Sequence, residues 1–155
     1  MPRKVGQKDI AKALSIARVT VTKALQGHPD IAADTVVRVR EKAREMGYIP
    51  SFIGRALSTR QTHLIGVVFP RMDNSFYAHS LHYFCQYANS KGFDVLPFLS
   101  FEDSTQEKEK IQMLLSMHID GLIVIPSYGD VYHDIFEHVR KTAIPAVFYE
   151  RVPHY

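Results

Sequence analysis

The chain has 155 residues but only one cysteine, no tryptophan and no long apolar run. One thiol, Cys85, excludes an internal disulfide and fits a reducing compartment, so a cytoplasmic location is expected. Cys85 lies in an apolar helical pattern, where a buried thiol is expected rather than a nucleophile. No stretch approaches the ~18 apolar residues that span a bilayer, and the basic N-terminus lacks the apolar segment of a secretory leader. No membrane partner is therefore expected. The loops that cradle phosphates or raise a serine nucleophile are missing as well: there is no GxGxxG, no P-loop and no GxSxG. No repeat or low-complexity tract occurs, and no cofactor is expected.

Charge, by contrast, is unevenly placed. Residues 1–62 carry 12 Lys and Arg against five Asp and Glu, a balance of +7. The remainder carries seven against 11, a balance of −4, so the net +3 hides a basic head on an acidic body. A basic head suits a polyanion, because neutralising phosphates releases condensed counterions. Charge alone fits a solvated helical face equally well.

The head has a sharper signature. Ile10, Ala11 and Leu14 recur at helical spacing, a tight turn falls at Ser15-Ile16, and Val21, Ala24 and Leu25 recur on a second helix. Two such helices bury one small core and leave Arg18, Val19, Thr22 and Lys23 outward, a helix-turn-helix layout whose second helix enters a DNA major groove. Gly27-His28-Pro29-Asp30 is turn chemistry. A third helix is predicted from Asp34 to Met46, with Val36, Val39, Ala43 and Met46 on one face and Gly47 as its stop. Pro50 then interrupts the chain, and Ser51 can cap a short helix of about two turns. Nucleation makes such a helix unstable alone, and Gly54 costs it roughly 1 kcal/mol more. It is either a conditional helix that forms when something holds it, or an inert linker.

From Leu64 strands and helices alternate. Strands are predicted at Leu64 to Pro70, Asp94 to Phe98, Gly121 to Ile125 and Ala146 to Phe148. Helices are predicted at Phe76 to Lys91, Ser104 to His118 and Asp130 to Lys141, with Ile111, Leu114, Leu115 and His118 facing inward on the second. Apolar strands alternating with helices make a parallel sheet covered on both faces. Ligands bind such sheets beyond the carboxyl ends of the strands, here Arg71 to Tyr77, Ser100 to Asp103, Ser127-Tyr128 and Glu150-Arg151. Asn74, Phe76 and Tyr77 suit a clamp for a small polar ring; equally, Asn74-Ser75 caps a helix and the aromatics are core. His79 and His82, three apart on a helix, are a metal pair without a third ligand, so an enzyme on the sheet half is the weaker alternative and no metal site or catalytic residue is assigned.

The order of these parts resembles the lactose-repressor (LacI/GalR-type) family of bacterial transcription regulators. The resemblance spans essentially the whole chain and rests on Asp9-Ile10-Ala11, Thr20-Val21-Thr22-Lys23-Ala24-Leu25, Tyr48-Ile49-Pro50-Ser51, Arg55-Ala56-Leu57, Asn74-Ser75-Phe76-Tyr77, Asp120-Gly121-Leu122-Ile123 and Ile144-Pro145-Ala146-Val147. It implies a helix-turn-helix DNA-binding domain over 1–49, a hinge helix and linker over 50–62, and over 63–155 the first subdomain of a periplasmic-binding-protein-like effector domain. It implies a homodimeric repressor on a pseudo-palindromic operator of double-stranded DNA, tuned by a small-molecule effector, a sugar before a nucleobase. Base edges fall to Arg18, Val19 and Lys23, and phosphates to Thr20, Thr22 and Gln26. Arg55 lies in the hinge, and Leu57 is the apolar wedge of the minor groove. The effector positions are Asn74, Phe76, Tyr77, Ser127, Glu150 and Arg151.

Several positions depart from the family pattern. Its helix-starting Ser or Thr are here Gly6, Ala17 and Ala32, each lost cap costing about 1 kcal/mol. Its turn Gly is Ser15, its Arg is Lys23, which grips guanine less rigidly, and its hinge Ala is Gly54. DNA binding is therefore expected to be weaker or differently specified. The ending at Tyr155, just past the fourth strand, predicts a truncated member, with the alternative of a sensor-dead fragment that keeps residual DNA binding.

Overall fold

Ile10 and Ala11 on one short helix meet Val21 and Ala24 on the next and Val39 and Ala43 on a third, all buried. These helices are α1 (Gln7–Leu14), α2 (Arg18–Gln26) and α3 (Ala33–Glu45). Leu14, Ile16, Leu25, Ile31, Val36, Met46 and Tyr48 pack around that core. In this computed structural model the described residues are 5–52, 54, 56, 61–128 and 133–152. They fall into two units, Met1–Ser51 and Phe52–Tyr155.

The helix ends follow from their residues. Gly6, Ala17 and Ala32 stand at the three N-caps, and none supplies a side-chain cap. At α1 the loss is partly offset, because the Asp9 carboxylate accepts the Gly6 N–H at 2.9 Å, one half of a capping box. Ser15 ends α1 in the left-handed region at φ 53°, where the chain reverses into α2. Gly27, at φ 70°, ends α2 with less strain. The third helix begins and ends one residue before the predicted Asp34 to Met46.

In the second unit the strands are β1 (Leu64–Phe69), β2 (Asp94–Leu99), β3 (Gly121–Val124) and β4 (Ala146–Phe148). The helices between them are α4 (Ser75–Ser90), α5 (Ser104–Ser116) and α6 (His133–Lys141). The strands pair in parallel in the order β2-β1-β3-β4. Side chains alternate along β1. Val67 and Phe69 join Tyr77 of α4 in one core, while Val68 joins Ile111 and Leu114 of α5 and Ile135 and Val139 of α6 in the other. The chain steps from β1 to β2 on one side, then crosses back to β3 on the other. The connections thus diverge between β1 and β3, and open α/β sheets hold ligands beyond the carboxyl ends of the strands at such a point.

Two expectations are corrected. His118 does not face inward: α5 ends at Ser116, Met117 caps it, and His118 turns into the left-handed region at φ 57° and is exposed. The sheet is not covered throughout, because Ala146 and Val147 of the edge strand β4 are exposed.

Candidate functional site

In the first unit the outer face of α2 is the candidate. Burial of Val21 and Ala24 fixes the helix's rotation, and Arg18, Val19 and Gln26 then emerge exposed. Val19 is 61% exposed, an unusual place for an aliphatic side chain with no core to join. Thr20 and Thr22 are half-buried. The Thr22 hydroxyl is within donating distance of Gln7 Oε1 (2.7 Å) and of the Arg18 carbonyl one turn back (3.1 Å), tying α2 to α1. Lys23 donates from Nζ to Asp30 Oδ2 at 2.9 Å. This bond, then the charges of His28 and Lys23, hold the Asp30 carboxyl below its usual range. Arg55 and Leu57 lie outside the described residues.

In the second unit the strand ends converge on Arg151. Its Nη1 donates to both oxygens of Glu102 (3.2 and 3.1 Å) and to the Pro126 carbonyl (3.0 Å). Its Nη2 donates to the Tyr77 hydroxyl oxygen at 3.0 Å, and that hydroxyl donates to Glu150 Oε2 at 2.8 Å. The guanidinium carbon lies 3.7 Å from the centroid of the Tyr128 ring, a cation–π contact. Burial lowers the Arg151 pKa, but the bond and charge of Glu102 outweigh it, and the group stays above its ordinary value. Burial, then the bond to Glu150, pushes Tyr77 up to about 12. Neither group changes charge near neutrality.

Tyr77, Glu150 and Arg151 therefore form one bonded cluster. Ser127 stands next to it, after β3, with its N–H and hydroxyl both donating to the buried Glu107 Oε2 (2.7 and 2.6 Å). Asn74 caps α4, accepting the Tyr77 N–H at 3.0 Å through Oδ1. Phe76 stacks on Tyr149 with ring centroids 5.9 Å apart and 6° between planes, and 47% of its surface remains open. His79 bonds the Ser75 carbonyl through Nδ1, and no group of three or more metal-ligating side chains occurs among the described residues. No helix among them is long and apolar enough to cross a membrane.

Sequence reasoning places Ser100, Glu102 and Tyr128 in the strand-end segments without giving them a role, and it leaves out Glu107 and Tyr149. Glu107 was detectable, since it precedes Ile111 by four residues and Leu114 by seven and so shares their inward face. Glu102 and Tyr128 lie in the strand-end segments but carry no motif.

Residues 62–154 match the family of periplasmic binding proteins and the sugar binding domain of LacI regulators. The chain belongs to the LacI family. Among its relatives, catabolite control protein A of Priestia megaterium is 28% identical over 141 residues, which cover 90% of this chain and 41% of that protein. The sucrose operon repressor of Pediococcus pentosaceus is 25% identical, covering 92% of this chain and 42% of that one. Thus the chain spans about two-fifths of the length of these LacI-family relatives. The fold is similar to that of a chain in the crystal structure of the Lac repressor dimer bound to operator and the anti-inducer ONPF, with a TM-score of 0.78 at 22% identity over 94% of this chain and 44% of that one.

Proposed function

We propose that this LacI-family chain is a sequence-specific DNA-binding transcription regulator, a repressor whose operator affinity is set by a small-molecule effector, a sugar. Residues 1–49 act as the helix-turn-helix domain, 50–62 as hinge helix and linker, and 63–155 as the first subdomain of the effector domain. Two copies bind one pseudo-palindromic operator. Arg18 makes the two-pronged contact to guanine O6 and N7, Val19 meets a thymine methyl, and Lys23 reads alongside them. Thr20, Thr22 and Gln26 hold phosphates and fix the register. Arg55 and Leu57 act in the hinge, Leu57 as a wedge between base pairs.

The observation that carries this reading is the outer face of α2. An exposed arginine and an exposed valine share the first turn of a helix whose opposite face is locked into a core. The basic balance of residues 1–62 supports it, and so does the similarity to the sucrose operon repressor. The effector binds beyond the carboxyl ends of β1 and β3, against Asn74, Phe76, Tyr77, Ser127, Glu150 and Arg151. It alters DNA affinity only through its differential affinity for the states of the sensor.

The test is selection of duplexes from a random pool, followed by binding of the selected sequence and a scrambled one. A symmetric consensus bound about a thousandfold or more tighter than the scramble is expected. Equal affinity for the two would end the proposal.

A further inference from the structure

We infer that the strand-end rim selects ligands rich in hydrogen-bond donors and free of negative charge, a neutral or amino-bearing polyol rather than a phosphorylated or carboxylated one. The inference rests on the effector reading above and narrows its chemistry.

The polarity of the rim follows from its internal bonds. Both protons that Ser127 can give, on nitrogen and on the hydroxyl, go to Glu107 Oε2 beneath it. The Ser127 hydroxyl therefore offers no proton to a ligand; it is buried, with Ser100 Oγ 3.0 Å away. The Glu150 carboxylate takes one bond, from Tyr77, and its side chain is about a third exposed, so it retains open acceptor sites. Glu102 accepts from Arg151 and from the Tyr128 N–H at 3.0 Å. Outward-facing chemistry is thus dominated by acceptors.

Charged donors are correspondingly scarce among the described residues, leaving neutral ones such as the exposed Asn74 amide and the Tyr128 hydroxyl. Arg151 commits Nη1 to Glu102 and Pro126 and one Nη2 proton to Tyr77. Its Nε is buried without a hydrogen bond, 3.4 Å from Glu150 Oε2. Its guanidinium face lies against Tyr128. At most one Nη2 proton is left for a ligand. Among the described residues at the strand ends, the other cation, Arg71, is held two-pronged by Asp73 at 2.6 and 2.5 Å. Glu102 and Glu150 therefore face one guanidinium, with Glu107 below.

A phosphate or carboxylate brings acceptors only. Only one Nη2 proton is open to it, and a two-pronged grip on the anion would pull Arg151 off Glu102, stranding a half-buried carboxylate without its partner. A hydroxyl donates to the partly exposed Glu150 carboxylate and displaces nothing. An ammonium does the same and gains the attraction of the surplus carboxylate. The half-open ring of Phe76, backed by Tyr149, supplies an apolar surface for the ring of such a ligand.

The experiment is titration of the 155-residue chain, with the ring signals of Tyr77 and Tyr128 followed by NMR. The probes are D-glucose, D-galactose, D-fructose and D-glucosamine, and the phosphate ester of each neutral hexose. At least one neutral or amino sugar should move both signals, and its phosphate ester should bind roughly tenfold or more weakly, as like-charge juxtaposition requires. Glu102→Gln removes the carboxylate that holds Arg151 and should shrink that discrimination severalfold. Glu150→Gln serves the same purpose if Glu102→Gln does not fold. An ester that binds as tightly as its parent sugar overturns the inference and leaves the effector reading standing. Undiminished discrimination in the folded variant overturns its electrostatic basis. No shift with any probe overturns both the inference and the effector reading, with the DNA-binding reading untouched.

Discussion

Glu107 Oε2 accepts from Ser127 twice, from the backbone nitrogen at 2.7 Å and from the hydroxyl at 2.6 Å, while Glu107 Oε1 is buried without a partner. Burial pushes the Glu107 carboxyl above its usual range, more than the Ser127 bonds pull it down. A carboxyl raised in the folded state contributes stability that is complete below its unfolded pKa and lost as pH rises through the folded value. Wild type should lose that increment between about pH 4 and neutrality. Glu107→Gln cannot ionise and should not lose it. Melting temperatures of the two across that range should diverge in the variant's favour as pH rises, and a constant gap would count against a titrating Glu107.

Gly66 lies on the face of β1 that meets α5. A Cβ there would sit 2.7 and 2.8 Å from the two Leu114 methyl carbons and 3.0 Å from Ile119 Cδ1. Leu114 is fully buried and its tip has little room to retreat. Gly66→Ala should therefore cost about 1–3 kcal/mol by overpacking, read as a lower urea midpoint. An unchanged midpoint would show that this core yields easily.

Ser15 holds φ 53° at the end of α1. A side chain in the left-handed region costs roughly 1–2 kcal/mol, and glycine avoids it while loosening the unfolded chain. Ser15→Gly should stabilise the first unit by about 0.5–1 kcal/mol in equilibrium unfolding. Destabilisation would mean that the Ser15 side chain holds the turn.

Lys23 is paired with Asp30 at 2.9 Å, both at the surface. Asp30→Asn frees the ammonium for DNA and removes a charge that repels phosphate. Binding to random duplex should tighten, and the slope of log affinity against log salt should steepen by about one contact. An unchanged slope would place Lys23 away from the backbone.

Much of the fold is legible in the sequence because it follows from periodicity. Ile10, Val21 and Val39 announce the first core, and the apolar runs at Leu64 and Gly121 announce a parallel sheet. The rest depends on contacts between distant segments. Phe101 and Glu102 adopt consecutive left-handed conformations, φ 56° and 57°, at the end of β2. Neither residue type favours that region, so nothing in the sequence signals that Glu102 turns toward Arg151, 49 residues away. Helical spacing places His118 inward, but α5 stops at Ser116, before the register reaches it. Arg151 was legible as a strand-end cation, whereas its commitment to Glu102 was not.

The most direct test of the central claim is the effect of Arg18→Ala on binding to the selected symmetric duplex and to random duplex at one salt concentration. If the outer face of α2 reads bases, specific affinity falls by about 1–3 kcal/mol while random binding is nearly unchanged. Equal losses on both duplexes, or no loss on the selected one, would contradict the claim.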